Sequence, residues 1–390
     1  MEPLLPSAHE ALLAELTCEI LRQSGSLSAQ LPSPVVRDRV TRLVQQMNSY
    51  YSNLIEGHRT LPRDIEKALR QDFSQDPSQR ANQHLNKAHI EVERLMLERL
   101  RQEPNLSIHA SEFICWLHRE FYQRLPEELH WASDVQGKKY RIEPGALRSF
   151  EVEVGRHQPP YSESLPLFLD RFQQAYSAPE VMATRQLVAM AAAHHRLAWI
   201  HPFGDGNGRV IRLHSHAWLV RARMDSLGLW TLSRGLARSR QKYFTLLASA
   251  DQPRWNDLDG RGNLTDRGLG DFCVFLLETI LDQLSFMSGL LQLPVLAKRI
   301  DSYLQTVRVD FPVRTRERVS RLLRAALMEG ELERGRAGEV MGMSASGARV
   351  LVRQAVDEGL LDSPSEKGPL SLVFSAETLE SYFPNLYSLS

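Results

Sequence analysis

Two apolar helical runs, at about residues 179–199 and 207–224, meet at a connection built from glycine, and no other stretch constrains this chain as strongly. The first run ends as the chain reaches His201-Pro202-Phe203; the second carries Val210, Ile211, Leu213, Ala217, Trp218 and Val220. Between them lies Gly204-Asp205-Gly206-Asn207-Gly208. Glycine lets the backbone take positive φ and approach a ligand closely. Successive amides at a helix N-terminus carry partial positive charge, which suits a pyrophosphate. Arg209 and Arg212, three apart on the new helix, share a face that can clamp phosphate oxygens bidentately. Asp205 stands where a hard Mg²⁺ ligand belongs, because magnesium at nucleotide sites takes one or two carboxylates plus phosphates. His201, just outside the cradle, is the residue type suited to taking a proton from an attacking hydroxyl. The loop lacks the Gly-Lys-Ser/Thr end of a Walker A loop. A helix precedes it where a dinucleotide fingerprint needs a strand.

The rest of the chain reads as mainly α. Residues 1–100 form an N-terminal helical region: Ser33-Pro34 starts a helix carrying Val36, Val40, Leu43, Met47, Tyr50 and Leu54, which stops at Gly57. Further helices are expected at about 62–73 and 82–101. Residues 101–288 form a middle domain with helices at about 165–176, 179–199, 207–224, 234–250 and 265–288. One part of it reads as β: between residues 141 and 160, Phe150, Val152 and Val154 alternate with Glu151 and Glu153, the pattern of a short exposed hairpin or flap. Residues 289–390 differ: short helices at about 294–306, 314–328, 336–342 and 345–359 precede a polar turn and a strand at 370–374, a winged helix-turn-helix layout.

Lys plus Arg and Asp plus Glu each total 47, so no global field draws the chain onto DNA or anionic lipid. Cys18, Cys115 and Cys273 are scattered without CxxC spacing, which argues against a disulfide framework or a zinc site and fits a reducing compartment. The start lacks a basic leader. The most apolar stretch, about 269–296, is interrupted by Asp271, Glu278 and Asp282 and reads as a core helix, not a membrane span. A cytoplasmic enzyme or regulator is the expectation.

Residues 201–212 resemble the signature of the Fic family, His-x-Phe-x-Asp/Glu-Gly-Asn-Gly-Arg-x-x-Arg, at every specified position. The lead-in, Ala193-His194-His195-Arg196-Leu197-Ala198-Trp199-Ile200, looks like the family's helix before the motif. The resemblance spans roughly residues 10–290 and implies a Fic helical core that transfers AMP from ATP to a Ser, Thr or Tyr hydroxyl of a target protein. His201 would be the general base and Asp205 would hold Mg²⁺ against the phosphates. Asn207 with the Gly206 and Gly208 amides would form the anion hole. Arg209 would meet the phosphates, Arg212 the γ-phosphate, and Phe203 would fix the loop.

Upstream, Ser52-Asn53-Leu54-Ile55-Glu56-Gly57 matches the family's inhibitory pattern, Ser/Thr-x-x-x-Glu-Gly/Asn. Glu56 lies in the last turn of its helix, where the macrodipole disfavours an anion, so its carboxylate is either solvated or held by a cation elsewhere. Ser52 and Glu56, four apart, present one face. The resemblance implies that Glu56 pairs with Arg212 and blocks the γ-phosphate seat; in related proteins the same glutamate can align a water that removes AMP. Residues 150–157 resemble the family's flap, which docks a target segment by adding a strand; Val154, Gly155, Arg156 and His157 would lie along the nucleotide. Tyr243, in Tyr243-Phe244-Thr245-Leu246-Leu247, resembles the wall of the adenine pocket, and Asp251 falls where relatives carry Asn. His194, His195, His214 and His216 flank the motif; His214 and His216, two apart on a helix, cannot share a ligand face, so packing or capping is their expected role.

In the last hundred residues Ser344, Ser346, Arg349 and Arg353, with Arg314, Arg316, Arg318, Arg321 and Arg324, could meet phosphates. Glu329, Glu331, Glu333, Glu339, Asp357 and Glu358 offset them. DNA and a homodimer are both open as partners. An autoinhibited adenylyltransferase leads; a Fic enzyme with another donor and a nucleotide-sensing transcription regulator are the alternatives.

Overall fold

Proline in the first turn starts several helices of this chain, and in two of them a side-chain oxygen ahead of it accepts one of the unpaired N-terminal amides. The computed structural model describes residues 1–134, 136–178 and 185–388. After α1 (Glu10–Ser28), α2 (Pro34–Ile55) begins with Ser33 accepting the Val36 amide and Pro34 in the first turn. α3 (Pro62–Leu69) and α4 (Pro77–Gln102) also start on proline. Asp76 caps α4 through the Gln79 amide, so this helix begins one and a half turns before the expected residue 82. Then come α5 (Ser111–Tyr122) and an antiparallel pair, β1 (Trp131–Ser133) and β2 (Lys139–Arg141), with Trp131 opposite Arg141. The helical body continues with α6 (Leu165–Tyr176), α7 (Gln186–Ile200), α8 (Asn207–Arg221), α9 (Leu232–Arg238), α10 (Arg240–Ala250) and α11 (Asp266–Leu291).

Three expectations change here. The helix expected from residue 179 is described only from Gln186, since 179–184 lie outside the described residues. The helix expected at 234–250 is two helices, broken at Ser239 where φ is −106° and ψ 30°. The hairpin of the middle domain lies at 131–141, N-terminal to the alternating stretch that pointed to it.

α7 is buried on every side, including His194, His195 and Arg196, so it forms the central helix of the body. α8 packs on it, and α11 crosses α1, α7, α9 and α10. α11 is long and apolar enough to cross a membrane, but 56% of its apolar window is buried inside the body, as an amphipathic core helix requires. α2 lies against α4, α8 and α9, which carries an N-terminal helix to the motif. The last hundred residues give α12 (Leu293–Thr306), α13 (Val313–Glu329), α14 (Ala337–Met341), α15 (Ala345–Asp357), β3 (Leu361–Asp362), β4 (Ser371–Leu372) and α16 (Leu379–Tyr382). β3 pairs antiparallel with β4, and Leu332 bridges Leu370 beside them.

Burial holds His89 and His118 down at about 3, and His201, His214 and His216 at about 4. An unfolded imidazole titrates near 6.5. Between roughly pH 4 and 6.5 the unfolded chain therefore binds more protons, and stability falls as pH drops through that window. Glu93, pushed up to about 8 by burial, acts in the opposite direction, losing stability as pH rises through the folded value. Burial also raises Glu66 and Asp225, but the five imidazoles, together with Glu56 and Asp205 held low by their arginine partners, outweigh the raised carboxyls on the acid side. The urea midpoint should therefore fall steadily between pH 6.5 and pH 4.5; a flat midpoint would contradict the burial of these rings.

Candidate nucleotide site

α7 ends at His201, whose φ of 49° and ψ of 62° are left-handed values that a non-glycine residue rarely adopts. Such local cost persists only where surroundings hold it, and the motif loop does so at several points. Phe203 is fully buried and stacks on His118 at 4.0 Å. The Asn207 side chain closes the loop on itself: Oδ1 accepts the Phe203 amide at 3.0 Å and Nδ2 donates to the Phe203 carbonyl at 2.8 Å. That side chain is therefore a loop clamp, and Asn207 offers an anion its backbone amide in the first turn of α8. Gly206 caps α8 with φ 78°, and a Cβ there would come within 2.9 Å of the Tyr122 ring.

The charges converge on this N-terminus. Asp205 Oδ2 accepts from the Tyr122 hydroxyl at 2.5 Å and from Arg209 Nη2 at 3.1 Å. Burial pushes the Asp205 carboxyl up, but the Arg209 charge and the Tyr122 hydroxyl outweigh it and keep it below the usual range. Arg209 is buried over the Phe121 ring, and among the described residues its Nε and Nη1 have no hydrogen-bond partner. Arg212 donates from Nε to Ser52 Oγ at 2.9 Å, and from Nη2 to the Ser52 carbonyl at 2.9 Å and to Glu56 Oε1 at 2.7 Å.

Glu56 is the C-cap of α2, followed by Gly57 at φ 93°, so the helix stops where the sequence indicated. Burial and the negative end of α2 both work against an anion there. Arg212 and Arg209 more than offset the burial and hold the Glu56 carboxyl below its ordinary value. The carboxylate lies over Gly208: a Cβ added to that glycine would be 2.1 Å from Glu56 Oε1. A carboxylate from α2 thus occupies the N-terminal end of α8, where amides and guanidinium groups favour an anion.

The flap differs from its expectation. Phe150, Val152 and Val154 form no strand; Val154 and His157 exchange two backbone hydrogen bonds of 3.0 Å around Gly155 and Arg156, a single bridge closing a tight turn. Phe150 instead stacks on Tyr140 of β2 at 4.1 Å. His157 Nε2 donates to the Trp199 carbonyl at 2.8 Å, which ties the turn to the last residues of α7. Val154, Gly155 and Arg156 are exposed beside it.

Sequence patterns do not single out Arg148. Its guanidinium is buried, and Nε donates to the His201 carbonyl at 2.9 Å while its other nitrogens reach the Phe150 and Pro160 carbonyls and Glu151. Its amide donates to the Pro202 carbonyl at 3.0 Å. One side chain thus joins both ends of the flap to the base of the motif. The only sequence signal was an arginine between Leu147 and Phe150, where no helical partner is available. Arg148→Met should cost about 1–3 kcal/mol for each carbonyl left without a donor, read as a lower denaturant midpoint with unchanged helix content.

Tyr243 is buried, and its neighbours define its proton. Ser215 donates to the Ile211 carbonyl, so it accepts from His194 Nδ1, which leaves His194 Nε2 to accept from the Tyr243 hydroxyl at 2.8 Å. The same hydroxyl lies in the field of Arg212 and Glu56. His195 Nε2 sits 3.1 Å from both the Leu247 carbonyl and Asp251 Oδ1, so Asp251 serves a buried histidine. His214 packs among His109, Phe172 and Trp218, and His216 faces Glu93 at 3.5 Å. The four flanking histidines are packing and hydrogen-bonding residues, and among the described residues no group of three His, Cys, Asp or Glu could hold a metal. A Mg²⁺ ion would have Asp205 as its protein ligand and oxygens of phosphate and water for the rest, which is how this ion is bound beside nucleotides. The donors of Arg209 that lack partners and the carboxylate already seated over Gly208 fit a phosphate chain at the same place.

The fold is mainly helical with a small two-stranded hairpin and is that of Fic proteins. A Fic family protein from Desulfovibrio desulfuricans G20 superposes with a TM-score of 0.54 at 17% identity, covering 95% of this chain and 98% of that one. Fic-1 from C. elegans superposes with a TM-score of 0.51 at 16% identity, over 72% of this chain and 71% of that one. In sequence, residues 106–219 match the Fic/DOC family. The protein adenylyltransferase Fic of Drosophila erecta is 39% identical over 95 residues, 24% of this chain and 19% of that protein. The protein of the same name from Nematostella vectensis is 28% identical over 173 residues, 44% of this chain and 37% of that protein. The chain thus spans about a fifth of the length of the Drosophila relative.

Proposed function

We propose that this protein is an adenylyltransferase that moves AMP from ATP to a protein hydroxyl and that Glu56 holds it off. The observation that carries the reading is the Glu56–Arg212 contact of 2.7 Å, made over the Gly208 backbone. The triphosphate would lie along the start of α8, with Arg209 on its phosphates and Arg212 on the γ-phosphate once Glu56 withdraws. Bound Mg²⁺, on Asp205, would neutralise phosphate charge. His201 would take the proton as the target oxygen bonds to the α-phosphorus and the bond to the β-phosphate oxygen breaks, releasing pyrophosphate. Burial keeps His201 neutral at pH 7, the form a base must have. The target would dock along the turn at 150–157, which Arg148 and His157 anchor to the motif.

The donor is tested by incubating Glu56→Gly with each labelled nucleoside triphosphate and Mg²⁺. Label from ATP alone, retained on the protein after denaturation, supports the reading. Transfer from another nucleotide would replace the donor. Binding of ATP with no transfer would favour a nucleotide sensor.

The order α13, α14, α15, then β3 paired with β4, favours a winged helix-turn-helix for residues 289–390. Arg349 and Arg353 are four apart on α15 and exposed. If they meet duplex DNA, binding should weaken with rising salt, and Arg349→Ala/Arg353→Ala should flatten that slope by roughly 2. No binding at low salt would make the module a protein-docking unit.

A further inference from the structure

We propose that Tyr122 is a positioning residue for Asp205, presenting one oxygen of that carboxylate to a divalent cation; this rests on the reading above. Tyr122 Oη and Arg209 Nη2 both donate to the same oxygen, Oδ2. Oδ1 takes no side-chain donor among the described residues. A carboxylate held in this way offers a single oxygen, which suits an ion that demands octahedral geometry and keeps several waters. Tyr122 is itself fixed: it is fully buried, its ring lies 4.5 Å from that of His118 and edge-on to that of His130 at 5.6 Å, and its carbonyl accepts from His130 Nε2 at 2.9 Å. The hydroxyl therefore stays in place when a phosphate chain draws Arg209 away.

The test uses full-length Glu56→Gly with and without Tyr122→Phe, which keeps the ring under Gly206 and removes only the hydroxyl. Mn²⁺ binding is followed by electron paramagnetic resonance with a non-hydrolysable ATP analogue present, and analogue binding is measured separately in EDTA. The Mn²⁺ dissociation constant should rise roughly ten-fold, the usual cost of losing a partner that orients a metal ligand. Analogue affinity in EDTA should not change. Unchanged Mn²⁺ affinity would overturn the inference, and so would a matching loss in EDTA, which would assign Tyr122 to packing. A parent variant that binds no analogue would overturn the functional reading itself.

A different set of contacts carries a second inference: residues 383–388 form a strap that holds α2, and with it Glu56, against the motif. Tyr51 is fully buried next to Ser52 and donates to the Leu386 and Ser388 carbonyls at 3.0 and 3.1 Å. Arg234 of α9 donates to the Asn385 carbonyl at 2.9 Å and to that of Leu386 at 3.3 Å, so the strap is gripped from both helices. The Tyr387 ring meets Tyr50 edge-on at 5.1 Å. Three further hydrogen bonds join the same module to this region: Arg39 Nη2 reaches Asp362 and Ser371 at 2.9 and 2.8 Å, and Glu66 Oε1 accepts the Ala376 amide at 2.8 Å. Ser52, which binds Arg212 through both its hydroxyl and its carbonyl, is thus one residue from the strap's main anchor. Whatever moves residues 289–390 pulls on the helix that carries Glu56.

Two variants test this, Tyr51→Phe and removal of residues 384–390, by hydrogen exchange of residues 46–57 and by labelling with ATP. In Tyr51→Phe the amides of 50–57 should exchange roughly 2- to 10-fold faster, the equivalent of one net hydrogen bond. The deletion should do more, and labelling should rise with exchange. Neither variant should add to the labelling of Glu56→Gly. Wild-type exchange in both variants would overturn the strap. Faster exchange without labelling, even in Glu56→Gly, would leave the strap standing and overturn the functional reading.

Discussion

Replacing Glu56 with glycine is expected to tighten ATP binding and to raise auto-modification by roughly 10- to 150-fold, the range of one hydrogen bond between charged groups at about 1.5–3 kcal/mol. Three features set the sign. The carboxylate lies where a Cβ on Gly208 would stand, so it excludes phosphate oxygens from the start of α8. It holds Arg212, whose other contacts, with Ser52 and the Tyr243 hydroxyl, are neutral groups that cannot balance its charge. It also sits at the negative end of α2, which favours its departure once Arg212 finds another anion. Glycine tolerates the backbone there, where φ is −80° and ψ 0°. Equal ATP affinity in wild type and variant, by calorimetry, would show that Glu56 does not block the site.

Removing the imidazole of His201 in the Glu56→Gly background should cut transfer by roughly 10²–10⁴-fold, as loss of a general base does. The backbone complicates alanine at this position, because φ is 49°. Left-handed values are strained for alanine and better tolerated by asparagine. His201→Asn is therefore the companion variant: it relieves the strain without restoring a base. Both variants should bind ATP like the parent and fail in transfer. If His201→Asn recovers the rate, the loss in His201→Ala was one of loop geometry.

How much of this was legible beforehand depended on how local the physics was. The start of α2 at Ser33-Pro34 and its stop at Gly57 are set by capping within a few residues, and both stand where expected. The motif's glycines likewise announced a close backbone approach, although Asn207 could not be seen to spend its side chain on Phe203. Long-range contacts were the hidden part. Arg148 joins the His201 and Pro160 carbonyls across the flap, and Tyr122 reaches Asp205 across 83 positions of chain. The flap departs from its pattern because Phe150, Val152 and Val154 alternate like a strand, yet Phe150 stacks on Tyr140 and, among the described residues, the backbone pairs only through Val154 and His157. Tyr51 and Arg234 gave no sign that they hold residues 385–388, because neither charge nor spacing links them.

In the proposed function, one carboxylate keeps a competent transferase silent. Intact-mass measurement of wild type and Glu56→Gly after the same incubation with ATP and Mg²⁺ tests it most directly. Glu56→Gly should gain the mass of one or more adenylyl groups while wild type stays largely unmodified, and His201→Ala in that background should abolish the gain. Equal modification of the two proteins, or none in a Glu56→Gly protein that binds ATP, would contradict it.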